Sequence, residues 1–352
     1  MLTLEAMKSI DKRIEDVLKS SGVVGCSLAI TDRDGIIYSR GFGMRNIERG
    51  ESANGDTVYR AASIVKVVTG LLTMRLSEDG LLDIDRTVKS YLPWFTLKDK
   101  AAEQSITLRQ LLSHTSGLPR EYTPEGPLDE GMLVPCLMEG LPELDLVPIA
   151  EGRNLYSNWG IRLLSAVIET VMGEKYSTLA RRYILDPLGM SRSGYFRTAE
   201  MEEKLAMPHI IGETGNPVMQ KSIKENYARL ATGGLYSTAN DLTAIARLLL
   251  RGGSTDSGER IVSAESVAAM MSERTAFPDG DRYGMTLQIH NAEDLVLYGH
   301  YGSAPPYSAA MFVCPECGIG AALLINTPPT PMRAKICDAA ILEAAKQLKG
   351  DN

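Results

Sequence analysis

The sequence lacks a long apolar run, an excess of positive charge and a cysteine framework, and each absence narrows what the chain can be. None of its apolar stretches approaches the length that spans a bilayer. The net charge of −7 argues against nucleic acid or an anionic membrane as the main partner. Five cysteines, odd in number and scattered along 352 residues, predict reduced thiols and no disulfide network.

A secretory signal is also missing from the N-terminus. Met1 leads into a charged segment whose apolar residues, from Leu4 to Leu18, recur at helical spacing. We therefore expect a cytoplasmic protein for the chain as given, although a mature chain that had already lost its signal would read the same way. With 44% hydrophobic and 23% charged residues, the composition is that of a folded protein with one large or two interlocked domains.

Cys314 and Cys317 are spaced like half of a zinc site. No two further ligands lie nearby at metal-ligand spacing, so we expect no metal, and no cofactor motif is found. The apolar residues 309–313 and 319–325 instead predict two strands, which a turn through Gly318 joins into a hairpin.

Strand patterns occur near both ends of the chain. They lie at residues 23–30 and 35–43, and again at 286–289, 295–298, 309–313 and 319–325, while residues 63–250 are mostly helical in pattern and 332–348 form a last helix. This order predicts an α/β (α+β) fold, an antiparallel sheet flanked by helices and built from both chain termini, with an inserted mainly helical region. We assign residues 1–65 and 225–352 to the sheet domain and 66–224 to the inserted domain, with a ligand site at their seam.

Ser63 and Lys66 stand one helical turn apart at the start of a strongly apolar segment. A hydroxyl there could attack an acyl group, and the amine could take its proton. The same spacing recurs at Ser9 and Lys12, in an ordinary amphipathic helix, so the spacing alone is weak. Taken alone, residues 63–66 fit two interpretations equally well. One is the catalytic pair, and the other is a serine that caps the helix and a lysine whose amine reaches water.

Two further segments carry polar groups that suit the same chemistry. The Tyr156 phenol can exchange a proton, and the Asn158 amide can orient Lys66 and a substrate. In the second segment, which follows the predicted strand 295–298, His300 can bond a substrate carboxylate or the tyrosine. Judged alone, each of these two segments fits a structural role better than a catalytic one.

The backbone of this last segment adds a further possibility. Gly302 lets the backbone come close to a ligand, and the N–H of Ser303 could face a developing oxyanion. Other templates fail, because no serine stands in a Gly-x-Ser-x-Gly elbow and no His-Glu-x-x-His or phosphate loop occurs. For His114 we expect a structural role at the end of a helix.

In their order along the chain, the Ser-x-x-Lys, Tyr-x-Asn and His-x-Gly motifs resemble those of the serine β-lactamase and penicillin-binding-protein superfamily. The similar branch holds class C β-lactamases, D-alanyl-D-alanine carboxypeptidases, D-aminopeptidases and β-lactamase-like esterases. Further similar stretches lie at residues 57–63, 111–118, 186–190 and 233–242. The resemblance therefore covers essentially the whole chain.

The resemblance implies a role for each motif residue. Ser63 would be the nucleophile that becomes acylated, Lys66 and Tyr156 the proton-transfer pair, and Asn158 their orienting partner. His300 takes the place of the family's third-motif basic residue. The oxyanion hole would be formed by the backbone N–H groups of Ser63 and Ser303, and which member of the proton-transfer pair is the base stays open.

The third motif departs from the β-lactamase pattern of lysine, a small hydroxyl residue and glycine, because His300 is followed by the bulky Tyr301. A neutral imidazole holds a carboxylate less firmly than an ammonium group does. We therefore predict a serine hydrolase that acts through an acyl-enzyme on small esters or amides, an esterase or a D-amino-acid peptidase or amidase, with room for weak β-lactamase activity.

The alternatives are a β-lactamase or DD-carboxypeptidase proper, and a non-catalytic binding or scaffold member of the fold. The loop at residues 119–148 is expected to set specificity. The sequence leaves the acyl and leaving groups and the oligomeric state open.

Overall fold

The structure, a computed structural model, describes residues 2–120, 129–223, 225–272, 275–276, 281–328 and 332–350. Its strands are β1 Gly25–Thr31, β2 Ile36–Asn46, β3 Glu51–Ser52, β4 Tyr59–Arg60, β5 His209–Ile211, β6 Pro217–Met219, β7 Tyr236–Ser237, β8 Thr275–Ala276, β9 Arg282–Tyr283, β10 Gln288–Ala292, β11 Leu295–Ala304, β12 Tyr307–Cys314 and β13 Ile319–Ile325.

The α-helices are α1 Leu4–Ser21, α2 Val65–Glu78, α3 Val88–Tyr91, α4 Lys100–Ser105, α5 Leu108–Leu112, α6 Leu133–Gly140, α7 Asn158–Met172, α8 Tyr176–Ala180, α9 Ala199–Glu203, α10 Leu230–Gly233, α11 Ala239–Leu250, α12 Ala264–Met271 and α13 Met332–Gly350. A 3₁₀ turn at Ala62–Ile64 leads directly into α2. Across the described ranges, no helix combines the length and the apolar character that crossing a membrane requires.

Nine of the strands form one antiparallel sheet in the order β3-β2-β1-β13-β12-β11-β10-β9-β8. The first strand of the chain pairs with the last one, with Cys26 opposite Ile325. The sheet is therefore assembled from both ends of the chain, and this confirms the predicted fold class.

Alternate residues of the central strands point into two different cores, because side chains along a strand alternate between the faces of the sheet. In β12, Ala309, Met311 and Val313 join the core that contains α2 and α11. The residues between them, Ala310 and Phe312, join the core against α1 and α13. Helices thus cover both faces, and α2 lies on the face opposite the chain's terminal helices.

The hairpin predicted around Gly318 is confirmed. Gly318 has φ +70°, which a glycine adopts without strain, and β12 and β13 flank the turn. Cys317 donates its backbone N–H to the Cys314 sulfur at 3.4 Å inside this turn. Within the described residues no group of three or more His, Cys, Asp or Glu side chains is placed to hold a metal ion.

Two predicted strands differ from those observed. The strand expected at residues 286–289 is β10, which begins at Gln288, because Thr286 has φ +58° and cannot belong to extended backbone. The strand expected to end at residue 298 is β11, which continues to Ala304 while pairing with β12. The His300–Ser303 motif therefore lies inside a strand and not after it.

The region predicted as mostly helical, residues 63–250, also contains the strands β5, β6 and β7, while β4 precedes it. β5 pairs with β6, and β7 pairs with β4. The loop expected at residues 119–148 includes α6, and residues 121–128 of that loop lie outside the described residues. The division into a sheet domain and an inserted domain stays a prediction.

Candidate active site

Ser63 lies in the 3₁₀ turn that precedes α2, on the face of the sheet that packs against α2 and α11. The residue before it, Ala62, has φ +51°, a conformation that costs a non-glycine residue about 1–3 kcal/mol. The Ser63 hydroxyl is partly exposed and lies 3.4 Å from the carbonyl oxygen of Thr232 in α10. A strained turn at the start of a buried helix thus presents one hydroxyl to a cavity.

Lys66 is fully buried one turn further along α2. Its Nζ donates a hydrogen bond to Ser63 Oγ at 3.1 Å and a second one to the Thr232 carbonyl at 2.9 Å. The same Nζ lies 4.9 Å from the centroid of the Tyr156 ring. The three side chains that the sequence assigned to acylation and proton transfer are therefore brought together. No motif marked Thr232, although the similar stretch at residues 233–242 begins at the next residue.

Tyr156 is held in place by a histidine from the end of α5. His114 accepts the N–H of Leu155 with its backbone oxygen at 2.9 Å and the N–H of Ser157 with Nδ1 at 3.2 Å. These two bonds lie on either side of Tyr156, and the two rings are 4.5 Å apart. Burial, followed by the charge of Lys66, lowers the pKa of His114 well below its ordinary value, so the imidazole is neutral.

Ser157 is the N-cap residue of the next helix, α7. Ser157 Oγ accepts the N–H of Gly160 at 3.0 Å and donates to the Pro119 carbonyl at 3.0 Å. Asn158, the first residue of α7, faces the cavity, yet its Oδ1 is buried and accepts no hydrogen bond within the described part of the chain. The orienting bond predicted between this oxygen and Lys66 is therefore not formed here.

His300 is 1% exposed, and both of its ring nitrogens already have protein partners. Nε2 lies 3.3 Å from the hydroxyl of Tyr283, and Nδ1 donates to the carbonyl oxygen of Tyr301. Burial, and then the charge of Lys66, lowers the pKa of His300 to about 3. The third motif therefore places a neutral imidazole at the site.

Gly302 is required by a close approach of protein backbone, and its predicted approach to a ligand stays a prediction. A Cβ at this position would lie 2.4 Å from the carbonyl oxygen of Ala61. The absent side chain lets β11 pack against the turn that carries Ser63, so that Ser63 and Ser303 line one cavity. Whether their N–H groups form the oxyanion hole stays a prediction.

The cavity at Ser63 has a volume of about 560 Å³ and is also lined by charged residues that the motifs did not reveal. The guanidinium of Arg120 lies 5.5 Å from the centroid of the Tyr156 ring. Arg333 of α13 donates to the Gly302 carbonyl at 3.3 Å and to Ser308 Oγ at 3.2 Å. Asp281 lies at the same cavity. The two arginines come from a loop and a helix that carry no motif.

Comparison with known proteins gives a concordant result. A family model described as Beta-lactamase matches residues 10–346. Penicillin-binding protein 4 of Amycolatopsis lactamdurans is 27% identical over 325 residues, which are 90% of this chain and 84% of that protein.

Solved structures are similar over almost the whole chain. The octameric penicillin-binding protein homologue from Pyrococcus abyssi has a TM-score of 0.84 and 29% identity, over 97% of this chain and 78% of that one. A class C beta-lactamase has a TM-score of 0.79 over 96% of both chains, and at 17% identity it shows the shared fold.

Proposed function

The chain belongs to the beta-lactamase family, and from that premise we propose that it is a serine hydrolase acting through an acyl-enzyme on small esters or amides. The family assignment confirms the resemblance drawn from the three motifs. The observation that carries the proposal is the contact of 3.1 Å between Lys66 Nζ and Ser63 Oγ, beside Tyr156 and at a cavity that admits a small molecule. A nucleophile within hydrogen-bond reach of a proton acceptor is the arrangement that acyl transfer needs.

The reaction proceeds in two halves. Ser63 Oγ bonds to the acyl carbon while its proton passes to Lys66 or Tyr156, and the leaving group departs with that proton. Water then attacks the acyl ester on Ser63, which releases the acid and returns a proton to Oγ. The serine lies at the N-terminal end of α2, where the helix dipole favours the negative charge that develops on the substrate oxygen.

The neutral His300 shapes the substrate class. Because both of its ring nitrogens are bonded within the protein, it brings no positive charge to a substrate carboxylate. Substrates that do not depend on such a charge at this position, simple esters and amides, therefore fit best. An esterase or a D-amino-acid peptidase or amidase is the activity that we propose.

A second candidate, a β-lactamase or DD-carboxypeptidase, is favoured by one observation. Arg120 and Arg333 line the same cavity, and a guanidinium binds a carboxylate strongly. Substrates of those enzymes carry a carboxylate near the scissile amide. The charge absent from the third motif would then be supplied by these two arginines, one of which, Arg333, bonds to the Gly302 carbonyl.

The experiment that tests the proposal is intact-mass analysis after exposure to an activated ester, followed by a substrate panel. We expect an acyl adduct on the wild-type protein and none on Ser63→Ala, with Ser9→Ala acylated like the wild type. No adduct on the wild type, or an adduct that survives Ser63→Ala, would contradict the mechanism.

The panel compares p-nitrophenyl esters, D-alanyl amides and a chromogenic cephalosporin. Preference for the cephalosporin over every ester would favour the second candidate. Equal rates for wild type and Lys66→Ala on the whole panel would point to a non-catalytic binding or scaffold protein.

A further inference from the structure

An open edge of β11 borders the catalytic cavity. β10 begins at Gln288, which pairs with Gly299, and no described strand continues this pairing along residues 300–304 of β11. On its other side, β11 stays paired with β12 as far as Ala304. The backbone groups of this part of β11 that point away from β12 therefore need partners other than a neighbouring strand.

One of these groups, the N–H of Tyr301, is bonded by a side chain. Gln288 Oε1 accepts the Tyr301 N–H at 2.8 Å. A backbone N–H can only donate, so the oxygen of the side-chain amide must face it, and this contact fixes the orientation of the amide. The NH2 group of Gln288 is thereby left for another partner.

That NH2 group is open to the catalytic cavity. Gln288 is half-buried and lines the cavity together with Ser63. In the part of the chain that the structure describes, no acceptor is bonded to its Nε2, and this nitrogen is not sealed inside the protein. An amide donor at a cavity is available to an oxygen atom of a bound substrate.

The position of Gln288 along the strand relates it to the reacting group. Tyr301 and Ser303 are two residues apart, so their N–H groups point to the same edge of β11, about 7 Å from one another. The Ser303 N–H is the group predicted to bind the scissile carbonyl oxygen. A second carbonyl of the same substrate, a few bonds from the scissile one, would therefore lie near Gln288.

We propose that Gln288 determines specificity through two roles: its Oε1 positions the open edge of β11, and its NH2 group binds a second carbonyl oxygen of the substrate. The imidazole of His300 cannot take the second role, because both of its ring nitrogens have protein partners. Esters or amides with a further carbonyl, such as N-acylated amino-acid esters, are therefore preferred over plain alkanoyl esters. The substrate role rests on the proposed function, whereas the bond to the strand does not.

Two substitutions separate these roles. In Gln288→Glu, one carboxylate oxygen still accepts the Tyr301 N–H, but at pH 8 the NH2 donor is replaced by a second acceptor. In Gln288→Met, the length of the side chain is kept and both roles are lost. Gln347→Glu is the matched control, because Gln347 Oε1 also accepts a backbone N–H, that of Thr3 at 3.0 Å, and does not line the cavity.

The kinetic test compares substrates with and without the second carbonyl. One pair, the p-nitrophenyl esters of N-acetyl-D-alanine and of 2-methylpentanoic acid, varies the acyl group. The other pair, the butanoyl esters of glycolamide and of 1-propanol, varies the leaving group. In at least one pair, Gln288→Glu should lower the kcat/KM preference for the carbonyl-bearing member about fivefold, and Gln347→Glu should leave it unchanged. Gln288→Met should also lower kcat for both members about tenfold.

A binding measurement separates the substrate role of Gln288 from hydrolysis. Calorimetry with Ser63→Ala compares N-acetyl-D-alaninamide with 2-methylpentanamide, and the two butanoyl esters with each other. The carbonyl-bearing member of at least one pair should bind more tightly, and Gln288→Glu in the same background should remove most of the difference. This result without hydrolysis of any ester would uphold the donor and reject the proposed function.

Two outcomes would overturn the proposal. Preferences that Gln288→Glu leaves unchanged in both kinetics and binding would remove the donor role. A wild-type kcat in Gln288→Met would remove the positioning role.

Discussion

The same serine-lysine spacing occurs inside α1 and at the start of α2, and the contrast between the two explains what makes one a candidate site. In α1, Ser9 is partly exposed and Lys12 is exposed. In α2, Lys66 is buried and bonded to Ser63. The spacing is the same in both helices. Because Lys66 is buried its amine contacts the serine hydroxyl, whereas the exposed amine of Lys12 contacts the solvent.

The starts of the two helices differ as well. In α1, the side chain of Thr3 caps the helix by accepting the N–H of Ala6 at 3.3 Å. No side-chain cap bond is formed at the 3₁₀ turn or at the start of α2. The 3₁₀ turn itself satisfies the first N–H of α2, because Val65 donates to the carbonyl oxygens of Ala62 and Ser63. A side chain therefore closes the start of α1, whereas the backbone of the turn that carries the nucleophile closes the start of α2.

The largest expected difference between the two helices comes from their lysines. Lys66→Met should lower kcat/KM for an activated ester by about 10²- to 10⁴-fold, because proton transfer from Ser63 loses its partner. Lys12→Met, the matched change in α1, should leave the rate within a factor of two of wild type. Stopped-flow acylation of both variants, with thermal unfolding as a check on folding, measures the contrast. Equal rates for the two variants would remove the distinction between the helices.

The approach of β11 to the start of α2 gives the next largest effect. Gly302→Ala would place a methyl group 2.4 Å from the Ala61 carbonyl oxygen, so the strand or the turn must shift. A displacement near 1 Å at the reacting atoms lowers kcat by about 10²-fold. Gly35→Ala is the control, since a Cβ there meets nothing within 4 Å. Steady-state kinetics that show the same kcat for both variants would mean that this packing does not position the nucleophile.

Much of this arrangement follows from the sequence, because the motifs are local. Short patterns of residue type identify four segments, those of Ser63, Tyr156 and His300 and the strand at residues 319–325. Arg333 and Thr232 were missed because their roles depend on contacts with distant elements. The course of β11 was missed for a related reason. Its polar and glycine residues weaken the strand pattern, and pairing with β12 supplies the backbone hydrogen bonds.

His114 and His300, which lie near Lys66 of α2, predict that the stability of the protein depends on pH. Helix α1 contains no histidine and does not contribute to this dependence. His300, whose pKa falls to about 3 in the folded protein, stays neutral where the unfolded chain binds a proton. Stability is therefore full above pH 6.5 and is lost as the pH falls from 6.5 towards 3, by up to about 1.4 kcal/mol per pH unit for each such histidine. His114 contributes in the same direction.

His300→Gln should reduce this loss, since one of the two neutral histidines is gone. Urea unfolding of wild type and variant at pH 7.5 and pH 5.5 measures the difference in the free energy of unfolding. An identical change with pH in both proteins would mean that His300 titrates normally in the folded state.

The smallest expected effect lies at the cap of α1. Thr3→Ala removes the side chain that accepts the Ala6 N–H and should lower the free energy of unfolding by about 1 kcal/mol. Acylation of Ser63 should proceed at the wild-type rate, because α1 lies across the sheet from α2. Urea unfolding and stopped-flow acylation of the same preparation test both halves of the statement. A slower acylation without a loss of folded protein would show that the terminal helices influence the site through the sheet, and the separation of the two helices into stability and catalysis would then fail.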